Sequence, residues 1–238
     1  MQRIALVTGA SRGIGRAAAR ALAASGAHVV AVARTVGGLE DLDDEIRTAG
    51  GEGATLVPLD LRDFDALDRL GASIHERWGR LDALLGNAGV LGELTPLSHL
   101  ASKVWQEAID VNVTANWRLI RSLDPLLRAS DAGRAVFVTS GAARAHLPYW
   151  GAYGVTKAAL EALVLTYAAE CASTNVKVNL LSPGPLRTRM RAKAMPGEDP
   201  QSLAPPEAAV PLILEMLSPA FEQNGETVAF RRKDSSPS

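Results

Sequence analysis

The 238-residue chain holds a single cysteine, Cys171. One thiol can form neither an internal disulfide nor a cysteine zinc cluster, so a reducing, cytoplasmic compartment is expected. Placed on an apolar helix, Cys171 reads as a buried, inert thiol. His28, His75 and His99 lie scattered without metal-ligand spacing, and His146 reads as a solvated loop histidine; no metal is expected. No apolar run reaches the length of a membrane span. The opening "MQRIALVTGA" goes straight into strand-like residues without the apolar core of a signal peptide. Charge is nearly balanced, 25 basic against 26 acidic residues, which excludes the basic excess expected of a nucleic-acid or anionic-membrane partner. There is no internal repeat, and no linker divides the first 190 residues.

What is present is enough apolar side chain, 47% of the residues, to build a sizeable core. Short apolar runs at 4–7, 29–33, 55–58, 81–85, 135–139 and 176–181 read as strands buried on both faces. Longer segments at 15–25, 39–49 and 66–78 read as helices, the third with Leu67, Leu70, Ile74 and Trp78 on one face. Strands alternating with helices predict right-handed crossovers and a doubly wound, mostly parallel sheet with helices on both faces: an α/β Rossmann fold in one domain over 1–230. Residues 187–206, rich in Pro, Arg, Met and Gly, read as an irregular excursion, and 231–238 as a frayed tail. A helix starting near Tyr153 is apolar around its circumference, from Ala158 to Ala169. One face can cover the sheet, and the other calls for a homodimer or homotetramer.

"VTGASRGIGRA" (residues 7–17) follows the first predicted strand and opens the first helix. Gly9, Gly13 and Gly15 permit a tight turn and close backbone approach, while the helix start aims N–H groups at an anion. The second predicted strand ends in Ala33-Arg34 rather than in the acid that would accept from a ribose 2′-hydroxyl. Arg34 together with Arg12 favours a 2′-phosphate, hence NADP(H) over NAD(H); the competing reading is two solvated arginines. Tyr153 and Lys157 stand four residues apart, which on a helix stacks them on one face or makes a plain surface pair. An ammonium about 4 Å from a phenol contributes about 4 kcal/mol at an effective dielectric near 20. That would bring the phenol from about 10 toward neutrality.

Taken together, these motifs resemble the single-domain short-chain dehydrogenases/reductases over almost the entire chain. "TGASRGIG" is similar to the family's cofactor turn and implies contacts from Gly9, Ser11, Arg12, Gly13, Ile14 and Gly15. Asp60 and Leu61 match the adenine site, and "GNAG" resembles N-N-A-G with Gly86 in place of the first Asn, implying contacts from Asn87, Ala88 and Gly89. "SPGPLRT" is similar to the stretch at the nicotinamide end and implies Pro183, Gly184, Leu186 and Thr188. "VNV", "VTSGAA" and "YGVTK" place Asn112, Ser140, Tyr153 and Lys157 as the implied catalytic set.

The resemblance implies hydride transfer between nicotinamide and a carbonyl or secondary alcohol. In it Tyr153 is the acid/base, Lys157 tunes it and holds the ribose, Ser140 orients the substrate oxygen, and Asn112 relays protons. "RTRMRAKAM" in the excursion would suit an acidic or acyl-chain substrate, or simply a solvated lid edge. An idle NADP(H)-binding regulator is the competing function. A sugar-nucleotide epimerase would need a larger C-terminal region than the residues that follow Pro183-Gly184.

Overall fold

The computed structural model describes residues 2–231. One sheet contains β1 (Ile4–Thr8), β2 (His28–Ala33), β3 (Ala54–Pro58), β4 (Ala83–Gly86), β5 (Arg134–Val138), β6 (Lys177–Ser182) and β7 (Thr227–Ala229). Its order is β3-β2-β1-β4-β5-β6-β7, and every neighbouring pair is parallel. The helices are α1 (Gly13–Ala24), α2 (Val36–Thr48), α3 (Phe64–Trp78), α4 (Ser102–Ile109), α5 (Ala115–Arg128), α6 (Ala142–Ala145), α7 (Gly151–Glu170), α8 (Arg189–Ala194) and α9 (Val210–Met216).

The two faces of the sheet feed two cores because side chains alternate along each strand. Ile4 and Leu6 of β1 pack with Leu67 of α3, Leu123 of α5 and Leu160 of α7. Ala5 and Val7 point the other way, onto Leu22 of α1, Leu42 of α2 and Ile213 of α9. A strand buried on both sides has no polar face, which is why these runs are continuously apolar. α3 is bounded locally: the Asp63 carboxylate accepts from Ala66 N, and Gly79 closes the helix at φ +70°.

The six expected strands are all present, with ends shifted by one or two residues, but β3, at the edge of the sheet, is half-buried where burial on both faces was expected. β7 was not anticipated; its three residues are too few to show a pattern, and its pairing with β6 (Thr227 beside Leu180) defines it. The excursion at 187–206 is more ordered than expected. Thr188 accepts from Arg191 N and starts α8, and two short 3-10 turns follow at Pro200–Ser202 and Pro206–Ala209. Of the expected tail, residues 232–238 lie outside the described residues.

Gly86 has a packing reason. A Cβ there would run into the ring of Phe137, the buried aromatic of β5 alongside, and would stand 3.1 Å from Asn116 Oδ1. Gly86→Asn is therefore expected to destabilise the protein by about 1–3 kcal/mol through overpacking. Adding Phe137→Leu should recover part of that loss, as read from urea denaturation midpoints.

Candidate active site

The strand order reverses between β1 and β4, so the crevice beyond their carboxyl ends is where an open α/β sheet binds its ligand. Thr8 and Asn87 hold the two strand ends together there. Thr8 Oγ1 accepts from Asn87 N (3.0 Å) and Ala88 N (3.1 Å), and Asn87 Nδ2 donates to Thr8 O (2.9 Å). Over this brace runs the glycine turn, with Gly9 at φ +67° and Gly13 at φ +55°. A Cβ on Gly9 would sit 2.8 Å from Asn87 Nδ2, and one on Gly15 would strike Gly9 O. Arg12 occupies the N-cap of α1 without a side-chain cap, so the first N–H groups face the crevice beside Ser11 and Ile14. Thr188 closes this corner from the far end of the sequence: its Cγ2 lies 3.7 Å from where a Gly13 Cβ would be.

At the neighbouring strand ends, Asp60 is gripped by Arg62, Nε to Oδ1 at 3.1 Å and Nη2 to Oδ2 at 2.7 Å. These bonds hold the Asp60 carboxyl down at about 2. The Leu61 side chain packs into the core. Arg34 Nη1 stands 4.0 Å from Asp60 with its side chain 64% exposed. Asp60 is shared between Arg62 and Arg34, and Arg62 also reaches Glu107 at 3.7 Å. Arg12 is exposed and makes no ion pair among the described residues. Pro183 and Leu186 are buried, Gly184 turns at φ +64°, and Leu186 bridges to Ala204.

The second half of the site is built on α7. Tyr153 is buried, as is Lys157, whose Nζ donates to Val138 O at 2.8 Å. Ser140, two residues beyond β5, accepts from Ala142 N at 3.2 Å, and its hydroxyl is near enough to the Tyr153 phenol to draw its titration down. Lys157 faces the ring of the same tyrosine. The expected downward pull of the lysine on the phenol is corrected here. Burial pushes Tyr153 up, and the Ser140 hydroxyl is what works against that rise. Lys157 Nζ approaches the ring at 5.7 Å from its centroid while it is bonded to Val138, and burial brings the lysine itself down to about 8. The 4 Å ammonium–phenol distance assumed from helical spacing ignored what removal from water does to both groups.

Asn112 sits in a single π-type turn, Asp110–Thr114, between α4 and α5, a local widening that often marks functional positions. It is fully buried: Oδ1 accepts from Val90 N (2.8 Å), and Nδ2 donates to Val90 O and Thr156 Oγ1 (2.9 Å each). Its side chain is thus spent tying the irregular segment after Gly89 to α7. A Cβ on Gly89 would stand 3.1 Å from Asn112 Oδ1 and 3.5 Å from Lys157 Nζ, so that glycine keeps the floor open.

Sequence reasoning passed over Thr8, Thr156 and Glu161. Glu161 is buried one turn beyond Lys157, accepting from Thr139 Oγ1 and Arg144 Nε at 2.9 Å each. It therefore grips the chain on both sides of Ser140. The signal was available: Tyr153, Lys157 and Glu161 fall at every fourth residue of an otherwise apolar helix.

Residues 3–199 match the short chain dehydrogenase family, and the chain belongs to it, a family of oxidoreductases. It is 40% identical over 217 residues to the Escherichia coli K12 oxidoreductase YciK, covering 90% of this chain and 86% of that one. An NAD-dependent oxidoreductase of Mycobacterium tuberculosis H37Rv is 37% identical over 201 residues, 79% of this chain and 73% of the relative. Among solved structures, a short chain dehydrogenase of Escherichia coli CFT073 complexed with NADPH superposes with a TM-score of 0.92 at 39% identity, covering 95% of each chain.

Lys157 gives this geometry a thermodynamic signature. Folded, it titrates at about 8 against 10.5 when free. Between these values the unfolded chain binds the extra proton, so this residue makes stability rise with pH. Urea unfolding at pH 8.0 and 9.5 should show wild type gaining on Lys157→Met across that interval; a constant gap between the two proteins would contradict the burial of the ammonium.

Proposed function

We propose that this chain is an NADP(H)-dependent carbonyl reductase. The observation that carries the reading is the grouping of Tyr153, the Ser140 hydroxyl and the buried Lys157 beside the crevice that the glycine turn lines. The cradle fits a dinucleotide, since the turn packs so closely on Asn87 and on itself that Gly9 and Gly15 admit no side chain, and the N-terminus of α1 lacks a side-chain cap. The bound nicotinamide supplies the hydride. Gly9, Ser11, Gly13, Ile14 and Gly15 would cradle the pyrophosphate. Asp60, Leu61, Asn87, Ala88 and Gly89 would take the adenosine side, and Pro183, Gly184, Leu186 and Thr188 the nicotinamide end.

Tyr153 is a phenol held protonated by burial, so it suits donation to an alkoxide, a far stronger base than a phenolate. Ser140 donates to the substrate oxygen, fixing the carbonyl for attack and taking up developing charge. Lys157, a cation up to about pH 8, faces the phenol ring and stabilises the phenolate left after proton transfer. Asn112, its side chain engaged with Val90 and Thr156, would serve a water-mediated relay to Lys157 by holding α7 in place. Arg34, exposed beyond β2, reads the 2′-phosphate together with Arg12. NAD(H) remains usable but weaker, and the NADPH complex of the 39% identical structure supports the preference.

The outward strip of α7 supports a homodimer or homotetramer: Val155 and Leu165 are exposed there, as is Trp117 of α5. No helix among the described residues is long and apolar enough to cross a membrane.

NADPH oxidation over a panel of ketones and aldehydes tests the reaction: Tyr153→Phe should lose about 100-fold or more in kcat with NADPH binding intact. Equal turnover in the two proteins would sink the proton-donor role. Replacing Arg12 and Arg34 with Ala together should weaken NADPH about 100-fold and NADH less than about threefold. Parallel weakening of both cofactors would remove the phosphate reading.

A further inference from the structure

Away from Ser140 and Lys157, Tyr153 packs against apolar side chains. Leu91 and Leu94 come from the segment after β4, Ala142 and Trp150 from the segment after β5, and Met190 and Ala194 from α8. Trp150 stands edge-on to the Tyr153 ring, 6.1 Å between centroids. Outside this wall the same three segments carry an apolar rim. Of the eight large apolar side chains exposed among the described residues, Leu97, Leu147, Tyr149 and Met195 belong to these segments. They are tied to one another: Thr95 N donates to Tyr149 O, and a Cβ on Gly151 would strike Leu97. Exposed apolar area concentrated in one place marks a surface that meets another apolar body.

The backbone points to the same place. Among the described residues, only His146 (φ 48°) and Tyr149 (φ 71°) take positive φ without being glycine, and both lie in the rim segment. Such conformations cost of order 1–3 kcal/mol and collect at ligand clamps.

Three of the four basic residues of the excursion are engaged by the protein itself. Arg191 is engaged in a bidentate pair with Glu198, both bonds at 2.6 Å. Lys193 Nζ donates to Gly92 O at 3.1 Å, and Arg187 donates to Gln201 Oε1 at 3.2 Å. Lys193 thus pins the lid to the segment after β4, the other two contacts lie within the lid, and Arg189 is exposed at the start of α8. A carboxylate placed against Leu91, Trp150 and Met190 would be desolvated with no partner.

Resting on the carbonyl-reductase reading above, we infer that the substrate is an uncharged ketone or aldehyde with a large apolar, aryl or long alkyl, substituent. That substituent lies between Trp150 and Met190 and runs out over Leu147, Tyr149 and Met195. Met190 and Met195 of the lid are then specificity-determining residues.

The test compares 4-acetylbenzoate with its methyl ester, near in size and differing in charge, and with acetophenone, each reduced by the full chain with saturating NADPH, with propiophenone and butyrophenone extending the apolar side. The expected result is a kcat/KM for the methyl ester and for acetophenone at least about 100-fold above that for 4-acetylbenzoate, rising from acetophenone along the alkyl series. Met195→Glu should raise KM for butyrophenone about tenfold while leaving the NADPH Kd unchanged. Equal or faster turnover of 4-acetylbenzoate, or indifference to Met195→Glu, would overturn the substrate class while leaving the reductase reading in place. Silence toward all these ketones and toward aliphatic and aryl aldehydes, with NADPH bound and Tyr153→Phe indistinguishable from wild type, would instead bring down the reductase reading and this inference with it.

Discussion

The cleft depends on the brace between Thr8 and Asn87. Parallel strands whose helices lie on opposite faces diverge at their carboxyl ends, and only side chains can span the gap between β1 and β4. Three hydrogen bonds do so, each worth about 0.5–1.5 kcal/mol net. The more consequential effect is geometric. With Asn87 fixed, the glycine turn has no room for a side chain at 9 or 15, so its backbone is what a ligand meets.

The other half of the site is a problem in desolvation. Tyr153 and Lys157 enter the interior together, and burial moves each toward its neutral form: the phenol upward, the ammonium downward. The carbonyl of Val138 and the hydroxyl of Ser140 are the groups the fold provides against this. A phenol that keeps its proton and an ammonium near its own titration range make a pair ready to release one proton toward a base arriving in the cleft.

Much of this was legible in the residues. Strands buried on both faces leave unbroken apolar runs, and six of seven were placed on that basis; the glycine turn declared itself by lying between a strand and a helix. β7 was not legible, because three residues paired only through β6 carry no period of their own. The lid hid α8 because Pro and Gly around it suggested disorder, while its order comes from the Thr188 cap and the Arg191–Glu198 pair. The sense of the tyrosine shift was misread for a different reason. Spacing along a helix gives proximity, but the depth to which both groups sink is a property of the packed molecule. Gly86 was legible as a departure, and only the position of Phe137 explains it.

The hold on Ser140 has a second anchor. Arg144, which pairs with Glu161, also donates through Nη2 to Thr227 Oγ1 in β7 at 3.2 Å. The reacting end of β5 is thus moored to the last strand of the sheet, more than 80 residues further along the chain. Synthesis therefore completes the site late: until β7 has docked beside β6, the segment carrying Ser140 has lost one of its moorings, and a nascent chain lacking its last strand would present Tyr153 and Lys157 to an incompletely fastened partner.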